Sequence, residues 1–170
     1  MNYKRKHNKK TDYRKRLKYL LSRKPRLVIR KSNRVIYSQI VEYIPDGDKT
    51  LVAASSKQLV ELGYKGYLKN TTSAYLTGLL IAKKAKENSI KSVVADIGFY
   101  SIKKGAIVFA LIKGAKDGGL DVNLEDSILP DEKRIQGNHI AEFAKKQNLK
   151  SEYVALPKNF EEVKLKLLGK

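Results

Sequence analysis

The chain has 170 residues, of which 36 are Lys or Arg and 17 are Asp or Glu, giving a formal net charge of +19, and it has no cysteine. That length fits one domain plus extensions, and the missing cysteines exclude disulfides and Cys-based zinc sites, in keeping with a reducing cytosol. No run approaches the ~18 apolar residues that a membrane span needs, and the basic start lacks the apolar block of a signal peptide.

The charge is concentrated at the start. Residues 1–34 hold eight Lys and seven Arg against one acid, Asp12. So dense a cluster repels itself unless a polyanion neutralises it. Nucleic acid does this by releasing counterions as cations meet phosphates. An acidic membrane surface fits less well, because the segment lacks the bulky apolar face that interfacial helices bury. Met1 to Lys10 reads as a disordered basic arm holding Tyr3, Arg5 and His7. Thr11 is expected to cap a helix, with Asp12 in its first turn. Tyr13, Leu17, Leu20 and Leu21 share one face of that helix and are expected to dock on the body. Arg14, Lys15, Arg16 and Lys18 cover the other faces, and Pro25 ends the helix.

Strands follow. Arg26 to Arg30 and Val35 to Ile44 flank a Ser32-Asn33 turn whose tip carries Lys31 and Arg34. A period of two places Leu27 and Ile29 on one face, and Arg26, Val28 and Arg30 on the other. The first face is expected to be buried and the second to present guanidinium groups. Pro45 to Asp48 is a second turn and Thr50 to Ala54 a third strand, completing an antiparallel meander. Residues 63–70, Gly-Tyr-Lys-Gly-Tyr-Leu-Lys-Asn, form a basic aromatic loop. Its tyrosines either stack on RNA bases or fold back onto the core; the sequence leaves both open. The spacing of a phosphate-binding P-loop is absent.

Asn70, Thr71 or Thr72 caps a helix running to about Glu87, in which Gly78 points to close packing. Lys91 to Ile97 is a buried strand ended by Gly98. A helix from about Lys104 to Asp117 stops at Gly118-Gly119. The order predicts a sheet covered by helices. From Leu120 the chain turns acidic. Pro130 is expected to open a helix interrupted at Gly137, Pro157 to break the chain, and Asn159 to cap a last short helix with Phe160, Val163 and Leu167 on one side. Three segments result: an arm and helix at 1–25, an α/β core at 26–120 and a helical C-terminal extension at 121–170.

No catalytic constellation stands out, and no cofactor or metal is expected. His7 and His139 have no motif partner. Asp96, Asp117 and Asp121 could in principle gather a magnesium ion, as in a metal-dependent nuclease. The expected role of Asp96 is instead that of a strand-end residue accepting backbone hydrogen bonds, and Asp117 belongs to a turn.

Four blocks carry a resemblance. They are Thr11-Asp12-Tyr13-Arg14 with Arg16-Leu17 and Lys24 through Asn33; Gly63-Tyr64-Lys65-Gly66 with Asn70 through Gly78; Asp96-Ile97-Gly98 with Gly105 through Ala110 and Lys113 through Leu120; and Arg134 through Ala141. In that order they resemble the archaeal type of the large-subunit ribosomal proteins that bind 5S ribosomal RNA, the L-eighteen family. The resemblance implies an α/β fold similar to the ribonuclease H-like motif and no enzymatic activity. It implies a structural role on the cytoplasmic ribosome: anchoring 5S rRNA to the large-subunit rRNA in the central protuberance, beside neighbouring ribosomal proteins. A metal-dependent nuclease on a similar fold is the alternative, and a DNA-packaging protein a third reading. The candidate RNA-binding residues are Arg5, Tyr13, Arg14, Arg16, Lys24, Arg26, Arg30, Lys31, Asn33 and Arg34, with a second patch of Lys65, Tyr67, Lys69, Asn70 and Thr71. Tyr13 either packs in the helix seam or stacks on a base.

Overall fold

A computed structural model describes residues 12–169. The expected arm with Arg5, and Thr11, lie outside the described residues. Helix α1 spans Tyr13–Leu21 and is capped by Asp12. The Asp12 carboxylate accepts the N–H groups of Arg14 and Lys15 at 3.1 and 3.2 Å, satisfying two donors that a helix start leaves free. Asp12 thus takes the capping role expected of Thr11. The expected docking face is also corrected. Leu17 and Leu21 are 61% and 75% exposed, and α1 has no buried residue. Tyr13 and Leu20 of that face are half-buried, and Arg16 ties the helix to Asp48 of the sheet.

Strands β1 (Arg26–Lys31), β2 (Ile36–Ile44) and β3 (Gly47–Ser55) form the expected antiparallel meander. Leu27 and Ile29 face the core with Ile36 and Ile40. A bulge between Ile40 and Val41 lets both of these consecutive residues be buried, which strict alternation forbids. A short helix α2 (Gln58–Glu61) follows. Helix α3 (Thr71–Glu87) then crosses over to β4 (Ser92–Asp96), which lies parallel to β1; parallel neighbours need such a crossover. Helix α4 (Ile107–Asp117) leads to β5 (Asp121–Val122), parallel to β4. The five-stranded mixed sheet has the order β3-β2-β1-β4-β5. Strand β5 goes beyond the sequence expectation, since two residues carry no periodicity to read.

Helices α3 and α4 cross at glycines. A Cβ placed on Gly78 would lie 2.1 Å from the Leu111 carbonyl oxygen, and one on Gly114 2.1 Å from that of Tyr75. The close packing expected at Gly78 is therefore backbone against backbone.

The C-terminal part holds α5 (Glu132–Gln136), α6 (Asn138–Lys146), α7 (Ser151–Val154) and α8 (Leu156–Leu168). Gly137, with φ of 83°, separates α5 from α6 as expected. Pro157 does not break the chain; it sits in the first turn of α8, where a missing N–H costs nothing. Asn159 consequently lies inside the helix rather than capping it. Leu156, Phe160, Val163 and Leu167 join the same buried cluster as the sheet, each contributing roughly 1.5–3 kcal/mol of burial.

Candidate nucleic-acid interface

The sheet face away from α3 and α4 carries Arg26, Val28 and Arg30, as the alternation predicts. Its charges, however, are largely engaged within the protein. Arg26 is 5% exposed. Its guanidinium donates to Asp48 Oδ2 at 2.6 Å and to Asp96 Oδ2 at 3.1 Å. Arg16, from α1, reaches Asp48 Oδ1 at 2.9 Å. Arg30 donates to Asp96 Oδ1 at 3.3 Å and to the carbonyls of Ile29 and Asp96 at 2.7 and 3.0 Å. The result is a ladder, Arg16–Asp48–Arg26–Asp96–Arg30, that straps α1 to the sheet. A buried arginine is tolerated only when so compensated. Only Arg26 Nε is left without a partner among the ladder's buried atoms. Of the two sheet arginines expected to face outward, Arg30 is partly exposed and Arg26 is not.

Asp96 also accepts the Gly98 N–H at 2.9 Å, the strand-end role expected of it. Both of its oxygens are engaged by arginine. Asp117 accepts the Tyr75 hydroxyl at 2.8 Å. Among the described residues no His, Cys, Asp or Glu cluster has metal-holding geometry. Above the ladder, burial first, then the carboxylates of Asp96 and Asp12, raise the Tyr19 phenol above its ordinary pKa. Tyr19 therefore remains a neutral hydroxyl at physiological pH.

Among the expected site residues, Lys31 and Arg34 at the hairpin tip and Arg14 on α1 have no carboxylate partner among the described residues. Lys31, Asn33 and Arg34 are exposed. Lys31 Nζ sits 4.7 Å from the centroid of the Tyr100 ring. The Tyr100 hydroxyl accepts the Lys31 N–H at 2.9 Å and donates to the Lys31 carbonyl at 3.3 Å. Tyr100 thereby fixes the tip without neutralising it. Arg14 is exposed on α1 with no acidic partner among the described residues. Tyr13 is half-buried on the same helix. Lys24 is offset by Asp121 at 3.5 Å.

The glycine-tyrosine-lysine loop meets this tip. The Tyr67 hydroxyl donates to the Asn33 carbonyl at 3.2 Å, while its ring is 54% exposed. Tyr64 is buried instead, and burial drives its phenol pKa well above the ordinary value. Tyr64 thus folds back onto the core, whereas Tyr67 stays at the surface. Asn70 caps α3: its side-chain oxygen accepts the Ser73 N–H at 2.7 Å, and Ser73 Oγ accepts the Asn70 N–H at 3.1 Å. Thr71 is buried beside it, Lys69 is half-buried, and Lys65 is exposed.

Asn159 clamps the loop from α8. It accepts the Lys65 N–H and donates to the Gly63 carbonyl, each at 2.9 Å. Replacing Asn159 by leucine is expected to cost about 1–2 kcal/mol in urea unfolding, with amide shifts confined to residues 63–70. An unchanged midpoint would remove the clamp. Asp48, Tyr100 and Asn159 organise the site in roles that the sequence does not show: Asp48 reads there only as a turn residue and Asn159 only as a helix cap. Each acts across a separation that no local pattern encodes.

The family described as ribosomal large subunit proteins 60S L5 and 50S L18 matches residues 1–92. A large ribosomal subunit protein uL18 of Methanococcus maripaludis is 45% identical over 158 residues, covering 93% of this chain and 81% of that protein. The uL18 of Ignicoccus hospitalis is 46% identical over 178 aligned positions, covering 94% of this chain and 86% of that one.

Proposed function

The chain belongs to the family of ribosomal large subunit proteins 60S L5 and 50S L18, and from that premise we propose that it binds 5S rRNA and anchors it to the large-subunit rRNA in the central protuberance. It acts as a structural component of the subunit rather than as an enzyme. The observation that carries this reading is the meeting of two patches at one place: Tyr67 joined to Asn33, with Lys31, Arg34 and Lys65 exposed around them. An exposed tyrosine among uncompensated cations suits RNA, whose unpaired bases stack and whose phosphates attract. The order β3-β2-β1-β4-β5 supports a ribonuclease H-like arrangement. No observation favours a nuclease, because Asp96 serves the ladder.

In this reading Arg14, Lys31, Arg34 and Lys65 contact phosphates, and Tyr67 stacks. Arg16 and Arg26 position α1 and the hairpin, and Asn70 fixes the loop's exit. Charge reversal of Lys31 together with Arg34 should weaken 5S rRNA binding by at least tenfold. It should also flatten the salt dependence by about one unit of slope for each phosphate no longer neutralised. Filter binding across a salt series measures both, and unchanged affinity with unchanged slope would remove the hairpin tip from the interface.

A further inference from the structure

Beneath α1 lies a cleft of about 320 Å³ that the proposed phosphate contacts do not use. It is lined by the ion ladder together with Val28, Gln39, Val41 and Thr50 of the open sheet face. Three features describe what it can take. First, most of its charges are paired internally: Arg16, Arg26 and Arg30 are each held by Asp48 or Asp96, and the remaining cation, exposed Lys15, shares the cleft with the Asp12 carboxylate. A phosphate entering would meet those carboxylates together with Asp12. Second, Gln39 and Thr50 line the cleft, are exposed, and have side chains with no hydrogen-bond partner among the described residues. Gln39 offers both a donor amide and an acceptor oxygen, and Thr50 a hydroxyl that does both. Third, flat or apolar surface flanks them, from Tyr19 on α1 and from Phe99, which is 53% exposed after β4.

A site whose arginines are already held by carboxylates, with unpaired mixed donors and acceptors and aromatic walls, fits a neutral planar ligand with polar edges. From this geometry we propose that the cleft between α1 and the open sheet face receives one unstacked nucleobase of the bound RNA. The inference rests on the RNA-binding reading above and adds base recognition to it. The Gln39 amide hydrogen-bonds the base edge, as side-chain amides do with nucleobases, Thr50 adds a second polar contact, and Tyr19 or Phe99 stacks on the base. The ladder serves as the rigid floor that holds α1 at the right height. Gln39 lies between Val28 and Ala53 in the backbone register, so its place is set by the sheet and not by a loop.

The test uses the full chain and 5S rRNA. Gln39→Leu and Thr50→Val each remove polar groups from the cleft without touching the ladder or the hairpin tip. Each is expected to weaken 5S rRNA binding, roughly tenfold for Gln39→Leu, while leaving the salt slope unchanged, because every phosphate stays neutralised. Chemical probing of the complex should show one unpaired nucleotide protected at its base edge by the wild type and released by Gln39→Leu. Unchanged affinity in both variants, or no nucleotide whose protection depends on Gln39, overturns the base pocket. So does weaker binding accompanied by a flatter salt slope, since that signals a phosphate instead. Those outcomes leave 5S rRNA binding itself standing. Failure of the wild type to bind 5S rRNA would overturn the underlying function.

Discussion

Gly78→Ala is expected to destabilise the protein by about 3 kcal/mol, despite adding a better helix former. In an exposed helix the exchange would gain about 1 kcal/mol. Here the new Cβ would stand 2.1 Å from Leu111 O and 2.8 Å from Ala115 N. Both atoms are backbone, so no rotamer change can relieve the contact, and the helices must separate. Separation loosens the centre of the core, where Leu76, Ile81 and Leu111 are fully buried. Gly114→Ala should cost a similar amount, because its Cβ meets Tyr75 O at 2.1 Å. The double variant should cost less than the two single losses together, since one separation relieves both clashes. Urea unfolding of the three variants measures this; a neutral or stabilising Gly78→Ala would disprove the backbone contact.

Asp96→Ala is expected to cost about 3 kcal/mol. It removes the second partner of buried Arg26, the ion pair to Arg30 and the Gly98 N–H bond. Arg26 keeps Asp48 at 2.6 Å, which holds the loss at the lower end for a broken buried pair. Asp96→Asn should fall between, since the amide oxygen can still accept. A nuclease would behave otherwise: Asp96→Asn would abolish RNA cleavage while leaving the unfolding midpoint in place. Denaturant curves together with an RNA degradation assay separate the two. An unshifted midpoint would mean that the ladder does not hold this edge of the sheet.

These residues show what a single sequence can and cannot express. The meander is legible because Leu27 and Ile29 alternate with Arg26, Val28 and Arg30, and because turn residues separate the strands. The start of α3 is legible from Asn70 and the small polar residues after it, and the helix crossing from Gly78. The fate of the cations is not. Asp48 is 22 residues from Arg26 and Asp96 is 70 residues away, so nothing local marks them as counterions. Charge counting therefore does not separate Arg26, which is locked inside the sheet face, from Arg34, which is exposed at the tip with no carboxylate partner among the described residues. The docking of α1 differs from expectation for a related reason. Helical periodicity identifies an apolar stripe but not what lies opposite, and here an arginine meets a carboxylate. The last helix is longer than expected because a proline ends most helices yet opens others, and the distinction depends on where its packed face begins. Tyr64 and Tyr67 share one loop and one composition, and only burial tells them apart.

The most direct test of the central claim is ultraviolet crosslinking of the native protein, followed by sequencing of the attached RNA and mapping of the linked residues. The expected RNA is 5S rRNA, joined through the segment around Asn33 and through Tyr67. Recovery of unrelated transcripts at equal yield, or attachment only at the α5–α6 side of the molecule, would contradict it.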